Sequence, residues 1–264
     1  ARTAALDLST LFSTAPQTRL SGEAVVTSPD AGKSIEGSLT LDNTLPGRWN
    51  EGRLPLRRAQ IALKADPGRR DRIELHTFDL HFGDATAAAG RWAGSGAWTG
   101  RTLQLDTHIT DLRPQSMDTR AAAMRLSGPF NATVRGLPPA DGSGLGGASL
   151  AAALEADLRV TLQGEVDGAP RAVTVEADAT VSRQRVELRR ARASAGPATA
   201  AFAASLVRAA GARWELRTEG RLADFDPVPW VPGPEGSSWR KGPHRLNASW
   251  KLDASAPAAA LSLP

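Results

Sequence analysis

The sequence predicts an all-β protein that forms one long, strongly curved antiparallel sheet with minimal helix. Three observations favour this fold class: apolar and polar residues alternate along many segments, the parity of the alternation slips in two of them, and glycine recurs inside them. Of the 264 residues, 41% are hydrophobic and 23% are charged, which argues against global disorder. The length fits one large β domain or two ordinary domains.

Alternation with a period of two is the dominant pattern. Leu103, Leu105 and Ile109 fall on one side of an extended segment, and Gln104 and His108 fall on the other. The same alternation covers residues 35–41, 158–162, 172–181, 202–206, 214–216 and 246–252. A period of two is typical of antiparallel strands that have one apolar and one solvated face. Helical spacing is confined to residues 116–124, where Ser116 is a suitable N-cap for a short turn.

Two parity slips predict β-bulges. Apolar residues within 73–75 and within 78–82 have opposite parity, and the same change occurs between 54–56 and 59–63. An extra residue in one strand bends that strand and increases the local twist. Because these segments are also long, we expect the sheet to be strongly curved.

Glycine and proline interrupt the alternation without dividing the chain. An apolar-x-Gly-x-apolar motif occurs at 20–24, 35–39 and 162–166 without a fixed period, which argues against a propeller or a leucine-rich array. The alternation resumes after each of two irregular stretches. We therefore predict one continuous β segment over residues 1–264, with excursions at about 136–149 and 226–243.

Charge and cysteine content restrict the possible partners. Cysteine is absent, which excludes disulfides, thiolate metal sites and cysteine nucleophiles. The net charge of +4 comes from arginines interspersed with acidic residues, a pattern typical of a solvated surface, and we predict no nucleic-acid partner. No run of about 18 apolar residues is present, so no transmembrane helix is predicted. Since Ala1 is followed by no signal sequence, we expect a portion of a longer precursor.

The sequence contains no convincing catalytic, metal or cofactor motif, and we predict a protein that is not an enzyme. The four histidines lack metal-ligand spacing, and no Gly-x-Ser-x-Gly elbow is present. Residues 142–147 match Gly-x-Gly-x-x-Gly formally, but two prolines precede them where a dinucleotide site needs a strand. Seven tryptophans leave a sugar-binding β-sandwich as one alternative, although core packing explains those within strands.

The apolar face of such a sheet needs a cover. With almost no amphipathic helix available, the cover is another sheet, the same sheet curled over, or a ligand. Acyl chains on this face would gain roughly 0.8 kcal/mol for each buried methylene. Periodicity alone leaves the self-packed core and the lipid-bearing trough open.

Short segments spread from about residue 20 to 253 resemble the TamB family. The most particular is 220–230, Gly-Arg-Leu-Ala-Asp-Phe-Asp-Pro-Val-Pro-Trp. The others are 37–47, 52–56, 89–98, 109–112 and 239–247. These segments are structural motifs, and the family has no catalytic residues that could be assigned to positions in this sequence.

The resemblance implies a periplasmic segment of an AsmA-like, repeating β-groove protein of a Gram-negative envelope. Such proteins form an elongated, taco-shaped sheet whose hydrophobic lumen is thought to carry phospholipid between the inner and outer membranes. TamB-like proteins also act with TamA, an outer-membrane protein, in outer-membrane protein assembly and secretion. The inner-membrane anchor and the TamA-contacting region of the family have no counterpart in these residues.

We therefore predict a non-enzymatic conduit for phospholipid acyl chains. The residues predicted to line it are Leu39, Leu41, Ile61, Leu63, Phe78, Leu80, Leu103, Leu105, Val173, Val175, Leu206, Trp214, Leu216, Leu246 and Trp250. The leading alternative is a structural β scaffold that binds unfolded outer-membrane proteins at its edge strands.

Overall fold

One open antiparallel sheet contains all the strands, as a computed structural model shows. The structure describes residues 1–11, 15–30, 32–69, 71–138, 154–167, 172–209, 213–231, 233, 236–242 and 244–257. Fourteen strands follow one another across the sheet in chain order, each antiparallel to its neighbours, and this confirms the all-β class. The strands are β1 Arg2–Leu6, β2 Leu20–Thr27, β3 Ile35–Asn43, β4 Leu56–Ala65, β5 Arg72–Gly83, β6 Ala88–Thr99, β7 Thr102–Leu112, β8 Met124–Arg135, β9 Glu155–Val166, β10 Val173–Ser182, β11 Arg185–Ala195, β12 Ala198–Ala209, β13 Arg213–Phe225 and β14 Leu246–Pro257.

Helix is confined to short pieces in the connections. The single α-helix of the described chain, α1, spans Pro114–Met117, and 3-10 turns occupy Leu8–Thr10, Trp49–Glu51 and Ser238–Arg240. The predicted helix position is wrong. Ser116 lies inside α1 rather than capping it, and Met124 begins β8. Pro114 begins the helix because its fixed φ suits the first turn, whereas residues 120–123 are too few to form a helix before β8.

Both predicted bulges are confirmed by the strand register. The β5 pairing with β6 shifts between Leu75 and Phe78. The β4 pairing with β5 shifts between Leu56 and Arg58. Each shift inserts one residue, so the apolar side chains before and after it return to the same face.

A backbone feature recurs every six strands, in β1, β7 and β13. Each strand contains a residue with left-handed backbone at a register shift, namely Ala5, Asp111 and Asp224, with φ of 53°, 50° and 47°. Its N–H donates to a side-chain oxygen of the next strand at 2.9–3.1 Å. These acceptors are Ser21 Oγ, Ser127 Oγ and Asn247 Oδ1.

The sequence carries the same repeat around these acceptors. Residues 19–22 and 125–128 both read Arg-Leu-Ser-Gly, and 245–248 read Arg-Leu-Asn-Ala. A second bulge also recurs after six strands, because β11 shifts between Leu188 and Ala191 as β5 does between Leu75 and Phe78. These features therefore recur every six strands. Their spacing in residues is not constant, in agreement with the irregular spacing expected from the sequence.

The strand ends form two different margins. The long-loop margin carries the connections 7–19, 44–55, 113–123 and 226–245. The tight-turn margin carries the turns 28–34, 66–71, 100–101 and 183–184, and also the longer connection 136–154 between β8 and β9. The predicted excursion at 226–243 lies at the long-loop margin, whereas most of the one at 136–149 lies outside the described residues.

Connections at the long-loop margin fold back over earlier strands. The helix α1 follows β7 but contacts β5 and β6 as well as β8. Trp230, which follows β13, packs on a cluster of buried side chains from β7–β11 that includes Leu126 and Val173. The same cluster draws on Leu162 and Ala195. The hydrophobic core therefore sits at the long-loop margin.

Candidate functional site

Strand register joins the apolar side chains into continuous rows across the sheet. Residues opposite each other in neighbouring strands point to the same side, so a row can be followed from strand to strand. The row through Leu105 consists of Val26, Gly37, Leu63, Leu75, Gly96, Leu105, Ala132, Leu158, Ala179, Leu188, Ala204, Thr218 and Leu252. Thr218 is the one polar member of this row, and no member is charged.

Three parallel rows have the same character. They pass through Leu103, Thr107 and Ile109 and follow the same pairings. No described residue in any of the four rows carries a charge. We call the surface formed by these rows the apolar face. A charge-free surface that crosses the sheet from β2 to β14 is the most distinctive feature of the molecule.

All fifteen residues predicted to line a groove lie on the apolar face. Most belong to the four rows directly, and the rest follow from a two-residue offset, as Trp214 does from Leu216. The fifteen are Leu39, Leu41, Ile61, Leu63, Phe78, Leu80, Leu103, Leu105, Val173, Val175, Leu206, Trp214, Leu216, Leu246 and Trp250. Their contact with lipid stays a prediction.

The apolar face is buried in the middle of the sheet and exposed toward its outer strands. Near the long-loop margin of β8–β10 Val173 is only 1% exposed, and Leu126 and Leu162 are also buried. On the outer strands β2 and β14, Val26 is 74% exposed and Leu252 is 49% exposed. No second sheet covers the described strands, so the sandwich alternative does not fit their arrangement.

An aromatic cluster marks the middle of the apolar face. The ring of Trp92 meets those of Phe78 and Phe130 edge to face, with centroids 4.9 and 4.8 Å apart. Trp92 and Phe130 lie on β6 and β8, whose backbones are about 10 Å apart across β7. The two rings therefore meet above β7 on this face. Trp92 Nε1 donates to Thr107 Oγ1 at 2.6 Å, which satisfies the polar atom of each side chain within the cluster.

Glycine makes room for rings farther along the same face. Gly220 lies between Phe202 and Trp250, whose ring centroids are 6.4 Å apart. A Cβ at Gly220 would lie 2.2 Å from the Trp250 ring. Phe202, Leu188 and Phe130 also lie on the apolar face but are not among the fifteen predicted residues. Leu188 was missed because the β11 bulge separates it from Ala191 by three residues, a spacing that hides the alternation.

The opposite face is polar and crossed by ion pairs. Arg91 binds Asp79 through two hydrogen bonds, at 2.7 and 2.9 Å. These hydrogen bonds lower the pKa of Asp79, an effect that burial opposes and that His81, at 3.3 Å, reinforces. We call this surface the charged face. The contrast between the two faces is that expected for a one-sided sheet.

A larger network joins β8 to β11 on the charged face. Thr180 and Arg135 donate to Asp157 at 2.7 and 2.6 Å and lower the pKa of its carboxyl. Arg189, the extra residue of the β11 bulge, binds Asp178 and Thr180. The bulge therefore bends the strand and also orients the Arg189 side chain toward Asp178 of β10.

The described residues bring no three His, Asp or Glu side chains into a metal-binding group. His108 lies on the charged face opposite Ala93 and Pro129 and is exposed. His81 contacts Asp79, and His76 lies 3.8 Å from Glu74. Each of these histidines therefore has a structural neighbour that accounts for its position.

Within the described part of the chain, no helix has the length and apolar character needed to cross a membrane.

Comparisons with known proteins complete the description of the site. No protein-family model, no curated protein and no solved structure matches the chain.

Proposed function

We propose that this chain is a periplasmic segment of a TamB-like envelope protein and acts as a non-enzymatic conduit for phospholipid. In this proposal acyl chains occupy the apolar face. The full-length protein is anchored in the inner membrane, spans toward the outer membrane and cooperates with a TamA-like partner through regions outside this segment. The observation that carries the proposal is the charge-free apolar face, which crosses nearly the whole sheet and is left partly exposed.

The chemistry of the face suits acyl chains. Each methylene transferred from water gains about 0.8 kcal/mol, so a chain of ordinary length has a large driving force for binding. Side chains of the face offer few hydrogen-bonding groups, and Thr107 already uses its hydroxyl within the aromatic cluster. An acyl chain can therefore bind at any position along the apolar face. A lipid held without a fixed polar anchor is free to move from one row to the next.

The test is photo-crosslinking at two adjacent residues of β7 in the full-length protein in cells. Leu105 points to the apolar face, and Gln104 points to the charged face. A photoreactive amino acid is placed at each position in turn, and lipid adducts are scored by mass spectrometry. We expect lipid adducts at position 105 and none at position 104. Absence of lipid at both positions in a folded protein would contradict the conduit.

An added charge provides a functional version of the same comparison. We expect Leu105→Asp to obstruct lipid passage, because a carboxylate on the apolar face is costly to desolvate. Gln104→Asp adds the same charge to the charged face and is the matched control. Normal envelope lipid transport by a folded Leu105→Asp protein would count against the proposal.

The edge strand β14 supports a second candidate function. It has twelve residues and pairs with β13 on one side, and no other described strand pairs with it. A long open edge can bind an extended segment of another protein by β-augmentation. This scaffold function predicts adducts with outer-membrane polypeptides at β14 and none with lipid at Leu105, so the same crosslinking experiment separates the two.

A further inference from the structure

Arginines from distant parts of the sequence meet along one half of the tight-turn margin. From β6 to β13, the turns and strand ends there carry six arginines, namely Arg101, Arg135, Arg183, Arg185, Arg208 and Arg213. Within two residues of the strand ends, Glu155 is the one acidic residue among the described residues, and Asp157, Glu187 and Glu215 lie one residue farther into their strands. Asp141 belongs to the sequence of the connection 139–153, which lies outside the described residues. We call the six arginines the arginine margin.

The excess of positive charge is confined to the arginine margin and does not simply follow from the composition of the chain. Along β2–β5 the tight-turn margin is balanced, because its turns contain both Asp30 and Lys33 and both Asp66 and Arg69. The long-loop margin opposite the arginine margin is also close to balance. The described charged residues there, over the same strands, are Asp111, Arg113, Asp118, Arg120, Arg125, Glu165, Asp167, Asp224, Asp226, Arg240, Lys241 and Arg245.

Most of the arginine margin is available to a ligand. Arg135 and Arg185 are held in ion pairs with acidic neighbours. The other four make no ion pair with any described residue, and all four are exposed. Arg213 donates to Ser255 Oγ at 2.9 Å, and Arg101 reaches the carbonyl of Gly136 at 3.4 Å. These neutral contacts leave the positive charge uncompensated.

The arginine margin is continuous with the apolar face. Arg208 lies opposite Trp214 in the register, and Trp214 is two residues from Leu216 on that face. Trp98 lies in the same row as Leu103, next to the turn that carries Arg101. Aromatic and arginine side chains at an apolar boundary are typical of sites where one end of a ligand is dry and the other end is wet.

We propose that the arginine margin binds the phosphate groups of anionic phospholipids whose acyl chains lie on the apolar face. This inference rests on the proposed function. A head group cannot lie on the charge-free face, because an unpaired phosphate there would lose its hydration. At the long-loop margin the described connections fold back over the strands, whereas the described turns 100–101 and 183–184 at the other margin are short, so the head group lies at the arginine margin. Arginine suits this role because its planar fork binds phosphate oxygens in pairs.

The experiment uses the full 264-residue chain and two vesicle compositions with the same acyl chains, dioleoylphosphatidylglycerol and dioleoylphosphatidylcholine. The margin variant replaces four residues with glutamine, Arg101, Arg183, Arg208 and Arg213. The control variant replaces four exposed arginines away from this margin, Arg57, Arg125, Arg192 and Arg221. Both variants lose four positive charges, so a difference between them reflects the position of the arginines and not the net charge. Lipid transferred to each protein is quantified by mass spectrometry.

We expect the original protein and the control variant to prefer phosphatidylglycerol. The margin variant should lose about tenfold or more of that preference while taking up phosphatidylcholine normally. High salt should weaken the preference in the same way, because the contacts are exposed.

Three results would overturn the inference. The margin variant could keep its preference, or both variants could lose it equally, and each of these leaves the conduit itself intact. Alternatively, the margin variant could lose binding to a single-stranded oligonucleotide and keep its lipid preference, which would assign the arginines to nucleic acid. Failure of the original protein to take up either lipid is a different result, because it refutes the proposed function.

Discussion

At the scale of single residues, the two faces of the sheet rely on different physical effects. The apolar face depends on area removed from water, and its side chains are interchangeable to a degree. The charged face depends on specific partners, of which the Arg91 pair with Asp79 is the most buried, since Asp79 is 7% exposed. Loss of Asp79 removes two charge-assisted hydrogen bonds, and the charge it leaves on Arg91 is hydrated because that side chain is 53% exposed.

Asp79→Asn should therefore lower the free energy of unfolding at pH 7 by about 1–3 kcal/mol. Arg91 holds the pKa of Asp79 below its usual value, so the ionised carboxyl stabilises the fold above about pH 4. That contribution is lost as the pH falls through the lowered pKa. Chemical denaturation from pH 7 down to pH 3 should show the two proteins converging.

The matched control is Asp42→Asn. Asp42 pairs with Arg58 on the charged face at 3.7 Å, but its side chain is well exposed, so the pair is weak. We expect a change within about 0.5 kcal/mol at every pH. An equal loss in both variants would show that burial is not what distinguishes Asp79.

Sequence alone indicates which apolar residues share a face, but it does not show where the arginines meet. The sequence of one strand is enough to show that Leu103 and Leu105 share a face, because alternation is a local property. Arg101 and Arg213 are brought to one margin only by the register of the intervening strands. Charges that are mixed with acids along the chain can thus be segregated in space, and composition does not reveal it.

At the scale of elements, bulges are the devices that shape the sheet. The β5 bulge was predictable because apolar residues of opposite parity flank it. The shift between Ile109 and Leu112 was not, because a spacing of three between apolar residues also fits a helix. There the structure uses Asp111, whose left-handed backbone is accessible to aspartate, and Ser127 as the acceptor for its N–H.

Ser127→Ala removes this acceptor and should lower the free energy of unfolding by about 1 kcal/mol. Ser38→Ala, at an exposed position of β3, is the control and should change it by less than about 0.5 kcal/mol. Both changes can be measured by urea denaturation. Equal effects would mean that the hydrogen bond at Asp111 adds nothing to the bulge.

The connection between β13 and β14 offers a second test at this scale. Trp230 packs on the buried cluster that contains Leu126 and Val173, whereas Trp239 is exposed and contacts Arg240. We expect Trp230→Ala to cost about 2–3 kcal/mol and Trp239→Ala less than about 1 kcal/mol. Thermal unfolding of both variants measures the difference. Similar melting temperatures would show that the connection does not cover the core.

At the scale of the whole molecule, the strands depend on their immediate neighbours. The main contacts of each strand are with the strands before and after it in the chain, and α1 is the notable exception. Stability is then close to a sum of nearest-neighbour terms, as in repeat proteins. Protection of backbone amides from hydrogen exchange should be greatest in the strands that carry the buried cluster and should decline toward β1 and β14.

Amide hydrogen exchange tests this gradient. Amides of β8–β10, which contribute Leu126, Leu162 and Val173 to the buried cluster, should exchange at least about a hundredfold more slowly than those of β1 and β14. The N–H groups of β2 serve as an internal comparison, since β2 has two neighbours but lies far from the cluster. Uniform protection across all strands would contradict the nearest-neighbour description and indicate one cooperative unit.

Strand order that follows chain order has a consequence for biosynthesis. Each new strand can pair as soon as it emerges, because its partner is the strand made just before it. Folding therefore needs no late return of the chain and little long-range search, which favours assembly strand by strand in chain order. The same rule lets the molecule be lengthened in evolution by duplicating six strands at a time, without rearranging a single existing pairing.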